Sequence, residues 1–321
     1  EVARWTHQDP CSDAQENGPE IALYISLHCP RCGQFAAFDM EGGPRRCLLA
    51  HGKVHSYLLD RRGGRRVLDA AGLGEWTPDA GLLWVHLDVD EESSRDWLVS
   101  ESGLPAAVVE SLLAVETRPR SHVSEQGSLI VLRGVNMNPG DDPEDMVSVR
   151  IWLEPDRIVS TRRRRLLSVQ DVRAALDEGH GPATSGAFLV ALIARIADRI
   201  GDFVNLLEEQ ISEAEDRAET GDIASSRKSN TILRRQLASV RRFLAPQRDA
   251  LDRLYRQPGK LFSDAESNGL REEADRMTRY LEDIDLARER LVVMQEEFLA
   301  LQAQEQNSRM YVLSVVAAVF L

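Results

Sequence analysis

The spacing of apolar positions changes twice along this 321-residue chain. Up to about residue 180 they come as short runs: Val54 to Asp60, Gly81 to Val89, Ser128 to Val135, Met146 to Glu154 and Arg157 to Thr161. Runs of this length, alternating in part as in Met146 to Leu153, predict strands. Between them Asp90 is placed to cap a helix from about Glu91, Pro105 to open a second, and Ser168 to Glu178 to form a third. Asn138 to Pro143 is a turn-rich loop, and Gly179 to Pro182 closes the region. Residues 54–180 therefore predict an α/β sheet domain, in an overall α+β or α/β fold class.

Beyond Pro182 the period becomes helical. Leu189, Ile193, Ile196, Ile200, Phe203, Leu207 and Ile211 step by three and four, and Thr220-Gly221-Asp222 breaks the stripe. A second stripe runs through Ile223, Asn230, Leu233, Leu237, Val240, Leu244, Leu251 and Leu254, with Pro246 placed to kink it. Residues 183–256 thus read as an antiparallel helical hairpin. Asn230, polar on an apolar stripe, sets register in this reading.

From residue 265 to 321 the spacing is heptad. Leu270, Met277, Ile284, Leu291 and Phe298 recur every seven residues, Glu305 interrupts, and Val312 and Val319 resume. Glu273, Tyr280, Ala287, Met294, Leu301, Ser308 and Val315 follow three residues on. This a/d seam, with no Gly or Pro after Leu270, predicts a single stalk helix roughly 78 Å long. Its last twelve residues, from Met310, carry no charge. Twelve residues do not cross a bilayer, which takes about 20. Two readings fit: a helix end buried on its own core, or the start of a membrane helix that continues past Leu321. The absence of any capping signal favours the second.

Composition narrows the function. The net charge of −13 argues against nucleic acid as a partner. Acidic residues outnumber arginines several-fold between Asp69 and Asp156, and the run Arg162 to Arg165 follows, read as an exposed turn balancing that domain. Residues 1–10 have neither a basic region nor an apolar core, so a cytoplasmic chain is expected. The motifs GxSxG, HExxH and P-loop are lacking, and His86 reads as a structural histidine in a strand, so no enzyme is expected.

Two groups of residues could meet metal. Cys29, Cys32, Cys47 and His51, spaced C-x2-C-x14-C-x3-H, suit a small tetrahedral zinc site within the first 53 residues. The alternatives there are an extension without a fixed fold and redox use of Cys29 and Cys32. Glu208, Glu209, Glu213, Glu215 and Asp216, with Glu219 and Asp222, crowd the hairpin tip, where carboxylates attract divalent cations weakly when solvent does not claim them.

Several strings together carry a resemblance: Trp84 to Asp88, Glu116 to Arg120, Leu132 to Asn136, Pro139-Gly140, Glu144 to Arg150 and Asp283 to Arg290. With the order of sheet domain, acid-tipped hairpin and long helix, they resemble the CorA-type two-transmembrane metal-ion transporters, in particular the zinc-transporting ZntB branch. The likeness covers residues from about 54 onward. It implies a homopentamer in the inner membrane, anchored by membrane helices beyond residue 321, with this portion a cytoplasmic funnel that gates by subunit rearrangement. It also implies transport of divalent cations, Zn2+ first and Mg2+ second, with no tightly bound cofactor. Gly134-Val135-Asn136 looks like the family's pore signature but sits at a strand end, so no pore role is carried onto it. In a symmetric bundle each seam residue would form a ring, which makes Glu305 a candidate for the conduction path. Two rival readings are a soluble coiled-coil scaffold and a cytoplasmic zinc sensor.

Overall fold

The computed structural model describes residues 27–28, 35–36 and 55–320. The chain divides into two units, Glu1–Lys53 and Val54–Leu321. In the first, Leu27–His28 (β1) and Phe35–Ala36 (β2) pair antiparallel, Leu27 opposite Ala36 and His28 opposite Phe35. The proposed zinc ligands Cys29, Cys32, Cys47 and His51 lie outside the described residues.

The second unit begins with the sheet. His55–Leu59 (β3), Arg65–Leu68 (β4), Leu82–Asp88 (β5), Arg120–Val123 (β6), Ser128–Gly134 (β7), Val147–Leu153 (β8) and Arg157–Arg162 (β9) stand in the order β4-β3-β5-β9-β8-β7-β6. Only β5 and β9 pair parallel; the other neighbours are antiparallel. A parallel pair needs a crossover, supplied here by two helices and the β6-β7-β8 meander.

Both faces of the sheet are covered, which explains the unbroken apolar run in β5. After β4 comes the short helix Ala70–Gly74 (α1). Leu83, Val85 and Leu87 point into one cluster with Trp97 and Leu98 of Glu92–Ser100 (α2) and Val108 and Leu112 of Ala106–Leu113 (α3). Trp84, Ile130, Val149 and Ile158 point the other way, toward Leu167–Asp177 (α4) and the first helix of the hairpin. Two local expectations need correction. Asp90 does not cap α2, because its carboxylate takes the guanidinium of Arg163 and leaves the N-cap position to Glu91. Pro105 is the N-cap of α3 and lies just before its first turn.

The hairpin consists of Ser185–Glu219 (α5) and Ile223–Arg256 (α6). Thr184 caps the first by accepting from the Ala187 amide, and Asp222 caps the second by accepting from Ser225. Gly221 turns the chain between them at φ +92°, where a side chain would be strained. Pro246 lies inside α6, which runs on to Arg256. Trp84 meets Phe188 of α5 edge-on at 4.8 Å between centroids, and the Gln247 side chain of α6 accepts from the Arg133 amide at 2.7 Å. The hairpin is thus fastened to the sheet at its centre and at its β6–β7 side.

Asp264–Phe320 (α7) is one helix of 57 residues. As far as Phe298 its heptad seam does not remain available for rings between subunits. Leu270, Met277, Ile284, Leu291 and Phe298, with Glu273, Ala287 and Met294, are buried in one cluster with Leu207 and Ile211 of α5 and Leu233 and Val240 of α6. The stripes of the hairpin and the upper seam of the stalk satisfy one another inside a single chain. Asn230 holds the match by donating to the Leu291 carbonyl at 2.8 Å. After Phe298 every described residue of α7 is exposed.

Candidate functional site on the stalk

The face of α7 opposite the hairpin is apolar as well. Leu286 and Val293 are 58% and 55% exposed, and Val292 and Leu299 lie beside them. Leu286 and Val293 follow the buried Ile284 and Leu291 by two residues, about 200° around the helix. The same column continues through Ala300, Asn307 and Ser314. Exposed leucine and valine in line along a helix call for a cover that the described residues do not supply. The heptad reading fixed on the inner seam and passed over this second stripe, although Leu286, Val293 and Ala300 carry a seven-residue spacing of their own.

Glu305 belongs to the column of Phe298, not to the free stripe, and its carboxylate is paired with Arg309 one turn on. The five acids of the hairpin are spread around α5. Glu215 turns inward to α7, where Arg290 Nε donates to it at 3.0 Å while the same guanidinium reaches Ser212. Glu213 pairs with Arg217 at 3.6 Å. Glu208, Glu209 and Asp216 have no ion pair among the described residues. No group of three or more His, Cys, Asp or Glu side chains among the described residues is arranged to hold a metal ion.

Buried polar groups in the sheet domain serve its architecture. Trp84 Nε1 donates to the Ser160 hydroxyl at 2.8 Å, and His86 Nδ1 lies 2.9 Å from the same oxygen. Burial, reinforced by Arg162, His55 and Arg173, pushes the His86 pKa down to about 3, so the ring is neutral at ordinary pH. Arg150 is fully buried under the end of α3, whose last carbonyls lack helical partners. It donates to the carbonyls of Ala114 and Val115, Arg163 donates to Leu113, and the Thr161 hydroxyl donates to Leu112. Arg133 then ties Thr117 to Met146 through their carbonyls. Three strings that are far apart in sequence, Glu116–Arg120, Leu132–Asn136 and Glu144–Arg150, converge on this one loop. Nothing in spacing or composition foretold it.

The arginine run closes the same end of the sheet. Arg162 takes Asp88 at 3.3 Å, Arg163 takes Asp90, and Arg164 takes Asp145 at 2.6 Å. Arg165 turns instead to Gln170. The acidic excess between Asp69 and Asp156 is thus partly neutralised by arginines at the end of β9 and just after it, within the same domain.

Fold and surfaces together define a class: a sheet domain clamped to a three-helix stalk, from which one helix extends past its own core with an apolar stripe uncovered. Among the described residues no helix is long and apolar enough to cross a membrane. The chain belongs to the CorA-like Mg2+ transporter family, whose model matches residues 79–321. It is 33% identical over 282 residues to the zinc transport protein ZntB of Pectobacterium carotovorum, a match covering 88% of this chain and 85% of that one. The structure of the full-length CmaX protein superposes with a TM-score of 0.75 at 31% identity, with 83% of each chain covered. The cytoplasmic domain of ZntB from Vibrio parahaemolyticus superposes at 0.68, covering 78% of this chain and 98% of that one. At 24% identity this last likeness is one of fold.

Proposed function

We propose that this chain is the cytoplasmic portion of a homopentameric inner-membrane transporter for divalent metal cations, with zinc the favoured cargo. The observation that carries the reading is the uncovered stripe on α7. A helix whose inner seam is filled by its own hairpin and whose opposite face shows Leu286, Val293 and Leu299 is built to pack on copies of itself. The zinc preference rests on the likeness to ZntB, and Mg2+ is the alternative cargo.

In such a bundle the axis lies on the free stripe, so Asn307 and Met310 are better placed to face a conduction path than Glu305. The stalk and sheet domain then act as funnel and gate, each subunit rearrangement passing to the membrane along α7. The test is zinc uptake into vesicles carrying the full-length transporter. Asn307→Leu is expected to cut flux several-fold, and Glu305→Ala to leave it near the starting level. A large loss with Glu305→Ala and none with Asn307→Leu would place the path on the other face of α7.

A further inference from the structure

The hairpin is electrically two-sided. From Asp202 to Glu219, α5 carries seven acidic residues and one arginine. From Ile223 to Arg248, α6 carries six arginines, one lysine and no acidic residue. Among the exposed positions of α5, Asp202, Leu206, Glu209, Glu213 and Asp216 fall on one helical stripe. On α6 the exposed cations divide between two sides: Arg227 and Arg234, seven residues apart, share the column that borders α7, while Lys228 and Arg235 stand a turn to either side of Ile232, which is 49% exposed. None of these four has an ion pair among the described residues, whereas Arg241 and Arg290, on the inner sides, are paired with Asp285 and Glu215. A groove of about 340 Å3, lined by Arg227, Arg234, Phe298 and Leu299 among others, opens between α6 and α7.

The two flanks are at the same height. Arg290 of α7 reaches Ser212 and Glu215 of α5, and the neighbouring Leu291 accepts from Asn230 of α6. Glu209 to Asp216 and Arg227 to Arg234 therefore occupy one level along the stalk. The free stripe of α7 lies opposite the hairpin, so a ring built on that stripe has α5 on one side of every subunit and α6 on the other. Rotation about the ring axis, which involves no rise, brings the α5 flank of one copy to the α6 flank of the next.

Resting on the assembly just proposed, we infer that the acidic α5 flank around Leu206, Glu209 and Glu213 docks on the basic α6 flank formed by Arg227 and Arg234, beside Leu299 of α7, in a second copy of this chain. The contact is head-to-tail: it fixes the direction in which subunits follow one another and selects against the reversed pairing, in which like charges would meet.

The test is sedimentation of the 321-residue chain at several salt concentrations, with thermal melting to confirm folding. Reversing one flank, Arg227→Glu with Arg234→Glu or Glu209→Arg with Glu213→Arg, is expected to weaken association about tenfold or more through like-charge contact. All four changes in one chain should restore it, because the signs again match. Single-flank variants that assemble like the wild type, or a four-fold variant no better than either, would overturn the contact. Val293→Asp probes the bundle separately. Association lost there but intact in the flank variants keeps the bundle and removes the flank contact, while a wild type monomeric at every concentration removes both.

Discussion

The two halves of α7 share one helix and one heptad frame, yet their fates differ. From Leu270 to Phe298 the a and d positions are buried against α5 and α6; from Leu299 to Phe320 the same positions are exposed. Leu291 is 0% exposed and Leu301 is 48% exposed. A heptad spacing states that a helix has a seam without stating whose atoms fill it. In the upper half the filler is the chain's own hairpin, and in the lower half no described residue fills it.

The contrast is sharpest in stability. Leu291→Ala should lower the unfolding free energy by about 2–5 kcal/mol, the usual cost of emptying a leucine site in a packed core. Leu301→Ala should change it by less than about 0.5 kcal/mol, as surface substitutions do. Denaturant titration of both variants checks the pair, and equal losses would erase the distinction between the halves.

Next comes the polar pin of the covered half. Asn230→Ala removes the bond to the Leu291 carbonyl and leaves a small void beside it. A loss of about 1–2 kcal/mol is expected, read by the same titration. A neutral result would mean that the apolar seam alone sets the alignment of α6 and α7.

The smallest effect concerns Glu273, a carboxylate on the buried seam. Burial raises its pKa above the ordinary 4.5, while Arg276, 3.1 Å away, opposes the rise. A carboxyl whose folded pKa exceeds its unfolded value stabilises most below the unfolded value, and that contribution is lost as pH climbs through the folded one. Glu273→Gln should therefore raise Tm by about 2 °C near pH 7 and by less at pH 4. Melting curves at the two pH values decide it, and a lower Tm at pH 7 would show the Arg276 pair to dominate.

Much of the fold was legible in the sequence, because strands and helices here announce themselves by period. Val85 and Val159 sit inside continuous apolar runs as residues covered on both faces should, and the hairpin stripe from Leu189 to Ile211 is buried throughout. What escaped was pairing between distant groups. β6 has four residues and one buried position, too few to show alternation. Asp90 had the chemistry of a cap, but Arg163 offered a stronger partner. Arg150 looked like one more charge in a strand until the end of α3 came to rest above it. The free stripe of α7 was hidden by the stronger seam beside it.

Phe298 also marks a mechanical boundary. Above it α7 is gripped by two helices; below it some 22 residues, about 33 Å of helix, run unbroken by glycine or proline. Such a rod pivots at its last grip. Each degree of tilt at Phe298 sweeps Phe320 sideways by about 0.6 Å for a straight helix of that length. A five-degree rocking of the sheet domain and its hairpin therefore becomes a displacement of about 3 Å at the far end, roughly the width of a water molecule, with no bond along the rod needing to break.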